Sequence, residues 1–243
     1  MSGLAAVLLL LRPAVLGLER CFLRRPEREH AEGAAPGGNV RSQVPGADTF
    51  GDEVAQAWAP ILQEYEEGGW MLAPELHRVH SEELSHPSLN VRRVHKELRR
   101  VDGDSALVRL WRGKNVTELT QPAWAPLGEG LARCFGLRLP LKPLPLAPKS
   151  TRVSTCYHLS SDGARSTELA WMSKSLDVPY ASAFLVTGKF VFRQDAKGVS
   201  LDCYVGWQWL DRCMVKYVIQ SESRAETAEM CGDFAGHIRE VLS

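Results

Sequence analysis

The residues of this 243-residue chain best equipped for chemistry are its seven histidines and six cysteines. His77-x-x-His80, with His86 close behind, has a spacing that could begin a metal site. No cysteine or carboxylate stands where the remaining ligands of a structural site would have to be, and the stretch reads as a loop, so no metal is expected. The cysteines (Cys21, Cys134, Cys156, Cys203, Cys213 and Cys231) contain no CxxC pair. Several fall in strand or helix patterns, where a thiol packs as a small hydrophobe. That predicts free thiols in a reducing, cytosol-facing compartment rather than a disulfide scaffold. There is no nucleophile elbow, phosphate loop or dinucleotide fingerprint. His158 falls on the polar register of a strand and is expected at the surface, not as a general base. The chain is therefore expected to be no enzyme and to need no cofactor. What it has in quantity is apolar side chains, 44% of the sequence with seven tryptophans, and these can enclose a ligand without transforming it.

The elements that must position those side chains are clearest in the last ninety residues. Leu201, Cys203, Val205, Trp207 and Trp209 are apolar at every second position, with Ser200, Asp202 and Gln208 in the other register. This is the period of a strand with one dry and one wetter face. Phe184, Val186, Phe190 and Phe192 repeat the pattern around Gly188, Leu169 and Trp171 repeat it after Glu168, and Val153, Thr155, Tyr157 and Leu159 repeat it upstream. Ser161-Asp162-Gly163 and Asp195-Ala196-Lys197-Gly198 supply turns, so four strands form an antiparallel meander. From Asp211 the period lengthens: Met214, Val215, Val218 and Ile219, then Cys231, Phe234 and Ile238, recur at steps of three and four. One helical stripe results, with a break expected near Gln220–Ser223, where a serine could cap a second segment. The stripe has to be buried, and the dry sheet face is the available partner. The fold class is accordingly α+β, a curved antiparallel sheet gripping a long C-terminal helix.

A family resemblance follows from the order of these pieces. Asp177-Val178-Pro179-Tyr180, the aromatic strand after it, and the helix entry carrying Lys216, Ile219 and Ser221–Ser223 resemble the end of a VASt domain. That is the steroidogenic-regulator-like, lipid-binding module of the Aster sterol transporters and their plant and fungal relatives. Trp124, Arg133, Pro140, Pro145, Lys149, Thr151 and Val153 match the family's upstream run, and residues 88–119 resemble its opening helix pair. The resemblance spans residues 86–242 and implies a helix-grip fold around a hydrophobic cavity for a sterol or comparable lipid, without catalysis. The expected lining is Phe135, Leu137, Val153, Tyr157, Leu169, Trp171, Phe184, Val186, Phe190, Val205, Trp207, Phe234 and Ile238. Tyr157 or Ser173 would orient the lipid hydroxyl. The alternative is that these side chains fill a solid core and the domain is a scaffold for protein or membrane contact.

Length and charge complete the reading. Residues 86–243 hold 22 Lys and Arg against 16 Asp and Glu, and the preceding residues carry the compensating acidic excess. That balance is too dilute for a nucleic-acid partner. Arg92, Arg93, Lys96, Arg99 and Arg100 cluster on the first helix of the domain, either as a solvated face or as a contact for an anionic membrane surface. Residues 1–28 include an apolar run shorter than the ~20 residues a spanning helix requires, which predicts a targeting segment or weak anchor. Residues 29–85 read as a linker containing a short amphipathic helix around Val54, Trp58, Ile61 and Leu62. The cytosolic face of membranes, including contact sites of the endoplasmic reticulum, is the expected location.

Overall fold

The computed structural model describes residues 75–141 and 148–243. The targeting segment, the amphipathic helix and Pro145 lie outside the described residues. Within those described, eight strands and three α-helices follow one another along the chain. They are β1 (His77–Leu84), α1 (Val91–Leu98), α2 (Ala106–Gly113), β2 (Thr117–Thr120), β3 (Ala125–Leu127), β4 (Gly130–Pro140), β5 (Ser150–Asp162), β6 (Ser166–Ser175), β7 (Phe184–Gln194), β8 (Val199–Trp209) and α3 (Lys216–Leu242). The sheet order is β1-β8-β7-β6-β5-β4-β2, with β3 pairing beside β4, and every pairing is antiparallel.

The expected meander is β5 to β8, joined at the expected turns. The alternation in these strands sets their inner face: Tyr157 pairs Trp171, Leu169 pairs Phe190, and Phe192 pairs Leu201. The other face of β4–β7 is closed as well, with Cys134, Cys156, Ala170, Met172 and Leu185 buried. His158 belongs to that face. It is partly buried rather than at the surface, its Nε2 lying 3.2 Å from the Leu127 carbonyl oxygen of β3.

Three expectations change. First, the stretch from His77 is a strand, so the sheet begins upstream of the boundary expected near residue 86; β1 pairs β8 from His77↔Val205 to Leu84↔Val199. A bulge between Arg78 and His80 breaks its alternation, which hid it in the sequence. Second, α3 is continuous. Ser223 does not cap a second segment; its Oγ donates back to the Ile219 carbonyl and accepts the Trp207 indole N–H at 2.7 Å. Third, Cys134 and Cys156 form a disulfide, because the β4–β5 register sets them directly opposite each other. Pairing across strands needs no short sequence spacing, so the absence of a CxxC said nothing about it. Cys203, Cys213 and Cys231 are free and buried.

The core lies between the inner sheet face and the helices. Asn90 caps α1 by accepting from the Arg93 backbone N–H at 3.0 Å. Buried Glu97 joins the first two helices, accepting the Ala106 N–H at the start of α2 (2.8 Å) and an Arg100 N–H (2.9 Å). Helix α1 covers the start of β6 and the end of β7, where His95 meets Thr167 and the Val91 N–H reaches Gln194. The other ends of those strands are left for a cavity.

Candidate functional site

A cavity of about 340 Å³ lies between the first half of α3 and the sheet. Its floor is the inner register of β5, β6 and β7: Val153, Thr155, Tyr157, Trp171, Ser173, Ser175, Phe184 and Val186. Leu139, Pro140 and Leu141 close one side at the end of β4, and Trp111 of α2 and Lys114 just past its end close another. Val178, Pro179 and Tyr180 come from the β6–β7 connection. The roof is the α3 face bearing Ile219, Glu222, Ser223, Glu226, Thr227, Glu229 and Met230.

Each wall has an identifiable cause. Trp171 lies flat on Gly188 of β7, where an added Cβ would stand 2.5 Å from its Cζ2 and 2.3 Å from the Tyr204 carbonyl oxygen. The glycine is therefore what lets the indole lie along the floor. The β6–β7 connection is held by Asp177. Its carboxylate accepts from Arg152 Nη2 at 2.7 Å, Arg152 Nε at 3.0 Å and the Arg152 backbone N–H at 2.8 Å, while its own N–H donates to Thr151 Oγ1 at 3.2 Å. These Arg152 hydrogen bonds hold the Asp177 carboxyl below the usual carboxylate range. Tyr180 follows with φ at 63°, a left-handed conformation that turns the chain into β7.

The polar groups of the cavity are mostly paired with one another. Thr155 and Ser173 share a hydroxyl–hydroxyl bond at 2.9 Å. Tyr157 Oη accepts the Trp111 indole N–H at 3.0 Å, and burial pushes its phenol well above the ordinary range. Lys114 sits between Glu229 (3.0 Å) and Asp233 (2.8 Å). Burial disfavours its charge, but the hydrogen bonds to those two acids outweigh it and raise the ammonium above its usual value. The Glu226 carboxylate accepts no hydrogen bond among the described residues. Burial pushes its carboxyl up; Lys114 pulls it down, and Glu229 and Glu222 push it further up.

Five of the thirteen expected lining residues face this space: Val153, Tyr157, Trp171, Phe184 and Val186. Ser173, the alternative hydroxyl partner, also faces it. The other eight sit in packed core instead. Phe190 meets Phe234 with ring centroids 4.7 Å apart, and Leu169, Val205 and Ile238 are fully buried around them. Phe135 and Leu137 pack on β4, with Phe135 edge-on to Tyr157 at 5.3 Å. Trp207 lies tilted against the His77 ring and donates its indole N–H to Ser223 Oγ. The sequence pattern missed the contributions of β4, the β6–β7 connection and α3: Leu139–Leu141, Val178–Tyr180, and Glu222, Glu226 and Met230. The Asp177–Tyr180 motif was the available signal for the second group.

Arg133 stands behind the wall. It is fully buried between Trp124 (4.4 Å) and Phe135 (4.5 Å), donates to the Arg100 carbonyl at 3.2 Å, and is lowered by burial to about 10. Of the basic residues on and after α1, Arg92, Lys96 and Arg99 are exposed. Arg93 donates to the Ser88 carbonyl, and Arg100 is tied to Glu97 and Asp102.

The family model of the VASt domain, the VAD1 analog of StAR-related lipid transfer domain, matches residues 93–226, more than half of the chain. The chain belongs to the VASt family. This VASt domain is thus a lipid-binding module of StAR-related type, and the matched span contains nearly all of the cavity. No curated protein matches the chain. Among solved structures, TTHA0849 from Thermus thermophilus is 11% identical with a TM-score of 0.44, the match covering 70% of this chain and 100% of that one. An uncharacterised protein from Rhizobium leguminosarum is 10% identical with a TM-score of 0.39, covering 69% and 96%. Likenesses this distant carry no argument about what the VASt domain binds.

Proposed function

We propose that this VASt domain binds a sterol, or a lipid of similar size, in the cavity beneath α3 without changing it chemically, and exchanges it at anionic membrane surfaces. The observation that carries the reading is the void itself. A cavity of about 340 Å³ with a mainly aromatic and aliphatic wall lies within the roughly 300–1,000 Å³ range of small-molecule sites. The driving force is removal of apolar surface from water, about 25 cal/mol per Å². At ~0.3 kcal/mol per heavy atom, a sterol would gain about 8 kcal/mol, which corresponds to roughly micromolar affinity. Exposed Arg92, Lys96 and Arg99 supply the proposed membrane contact.

Titration with a fluorescent sterol tests the reading. Saturable binding in the low micromolar range, lost when Val186→Trp fills the floor, is the expected outcome. Absence of saturation up to tens of micromolar would favour a scaffold whose cavity holds no lipid of this class. A chemically altered lipid recovered from the purified protein would overturn the non-catalytic part.

A further inference from the structure

We infer that Glu226 is the polar anchor of the cavity, and that the cavity takes lipids ending in a hydrogen-bond donor, a protonated amine above all, in preference to lipids ending in an anion. The inference deepens the lipid-cavity reading and rests on it.

Glu222, Glu226 and Glu229 stand at i, i+4 and i+7 on α3, which places all three carboxylates on one face, and that face borders the cavity. Among the described residues, the only cation on the cavity wall is Lys114, and it is already shared by Glu229 and Asp233. The roof therefore carries more negative than positive charge. An anionic lipid end would meet like charge there at low dielectric, while an ammonium would find an acceptor.

The second observation is how few polar groups on the wall remain unmatched. Thr155 and Ser173 satisfy each other, Tyr157 holds the Trp111 N–H, and Ser223 is engaged by Trp207 and by its own helix. The Glu226 carboxylate lies deeper than that of Glu229, borders the void and, like that of Glu222, has no hydrogen-bond partner among the described residues. A half-buried carboxylate without a donor is disfavoured, and a ligand that brings one removes the cost. Burial also raises its affinity for a proton, with Lys114 opposing and Glu229 and Glu222 adding to the effect. The remaining wall facing it across the cavity is hydroxyl and hydrocarbon apart from the unpaired indole N–H of Trp171, a neutral group that is itself buried and adds no countercharge.

The test uses the full chain and three steroids of one skeleton bearing a 3-amine, a 3-hydroxyl or a 3-sulfate. The expected ranking is amine, then hydroxyl, then sulfate, with the ends at least about tenfold apart. Glu226→Gln should weaken the amine by about tenfold and leave the hydroxyl within about threefold. Amine affinity in the wild type should rise on raising the pH from about 5 to about 8, as Glu226 loses its proton and its carboxylate becomes available. Equal binding of amine and sulfate, or an amine indifferent to Glu226→Gln, would overturn the anchor while leaving the lipid cavity standing. Failure of all three to bind, or binding that survives Val186→Trp, would overturn the cavity reading and the anchor with it.

Discussion

At the scale of the residue, the cavity floor depends on one absent side chain. Gly188 gives Trp171 its place, and the atoms an added methyl would meet are the indole on one side and a backbone carbonyl on the other. Both approaches are closer than a Cβ tolerates, so the β7–β8 ladder must shift locally and the indole must also lift into the void. Gly188→Ala is expected to destabilise the fold by about 1–3 kcal/mol and to weaken sterol binding as the floor rises. Urea unfolding and the fluorescent-sterol titration measure the two effects, and a variant that binds as tightly as the parent would show that Trp171 is not part of the floor. The alternation that exposed these residues in the sequence could not sort them further. Val186 and Phe190 share one strand and one inner register, yet one borders the void and the other touches Phe234. Period two reports which face a side chain takes. Where along the strand the opposing helix fills the space depends on residues such as Phe234, opposed across space rather than along the chain. Trp124 and Arg133 were legible only as matching positions; the fold shows their role to be a cation stacked on rings.

Elements are fixed by connections that the sequence shows less directly. Asp177 ties the β6–β7 connection to the start of β5 through Arg152, and both side chains are about a quarter exposed. Hydrogen bonding to Arg152 lowers the folded-state pKa of this carboxyl below its ordinary 3.8. The resulting stability is present above that value and disappears as pH falls through the depressed one. Asp177→Asn should therefore cost about 1–2 kcal/mol at neutral pH and nothing once acid has fully protonated the wild-type carboxyl. A difference that persisted unchanged in acid would assign the loss to packing instead. The β4–β5 bridge is the second such device. Closing a loop of 22 residues limits the unfolded chain, so replacing both Cys134 and Cys156 by serine is expected to cost about 3 kcal/mol. Thermal unfolding with and without reductant checks this, and alkylation before reduction should label neither cysteine. Strand β1 escaped the sequence reading for a related reason: its bulge spoils the alternation, and its pairing with β8 spans more than a hundred residues.

For the molecule as a whole, the separation of its two proposed surfaces gives a sharper test than either alone. Helix α1 covers the start of β6 and the end of β7, while the cavity occupies the opposite ends of these strands beneath α3. Arg92, Lys96 and Arg99 point away from the core, held there because Val91, Val94 and Leu98 face inward. Near an anionic bilayer each basic side chain contributes about 1 kcal/mol, so reversing all three charges should weaken association with phosphatidylserine vesicles by at least tenfold at low salt. The difference should shrink towards nothing near 1 M salt, where the screening length is only ~3 Å. Sterol affinity measured without membranes should not change, because none of the three touches the cavity wall. Co-sedimentation with vesicles and solution titration report the two properties independently. Unchanged vesicle binding in the triple variant would make α1 an ordinary solvated face. Exposed Met214 and Tyr217 at the start of α3 would then be the membrane contact.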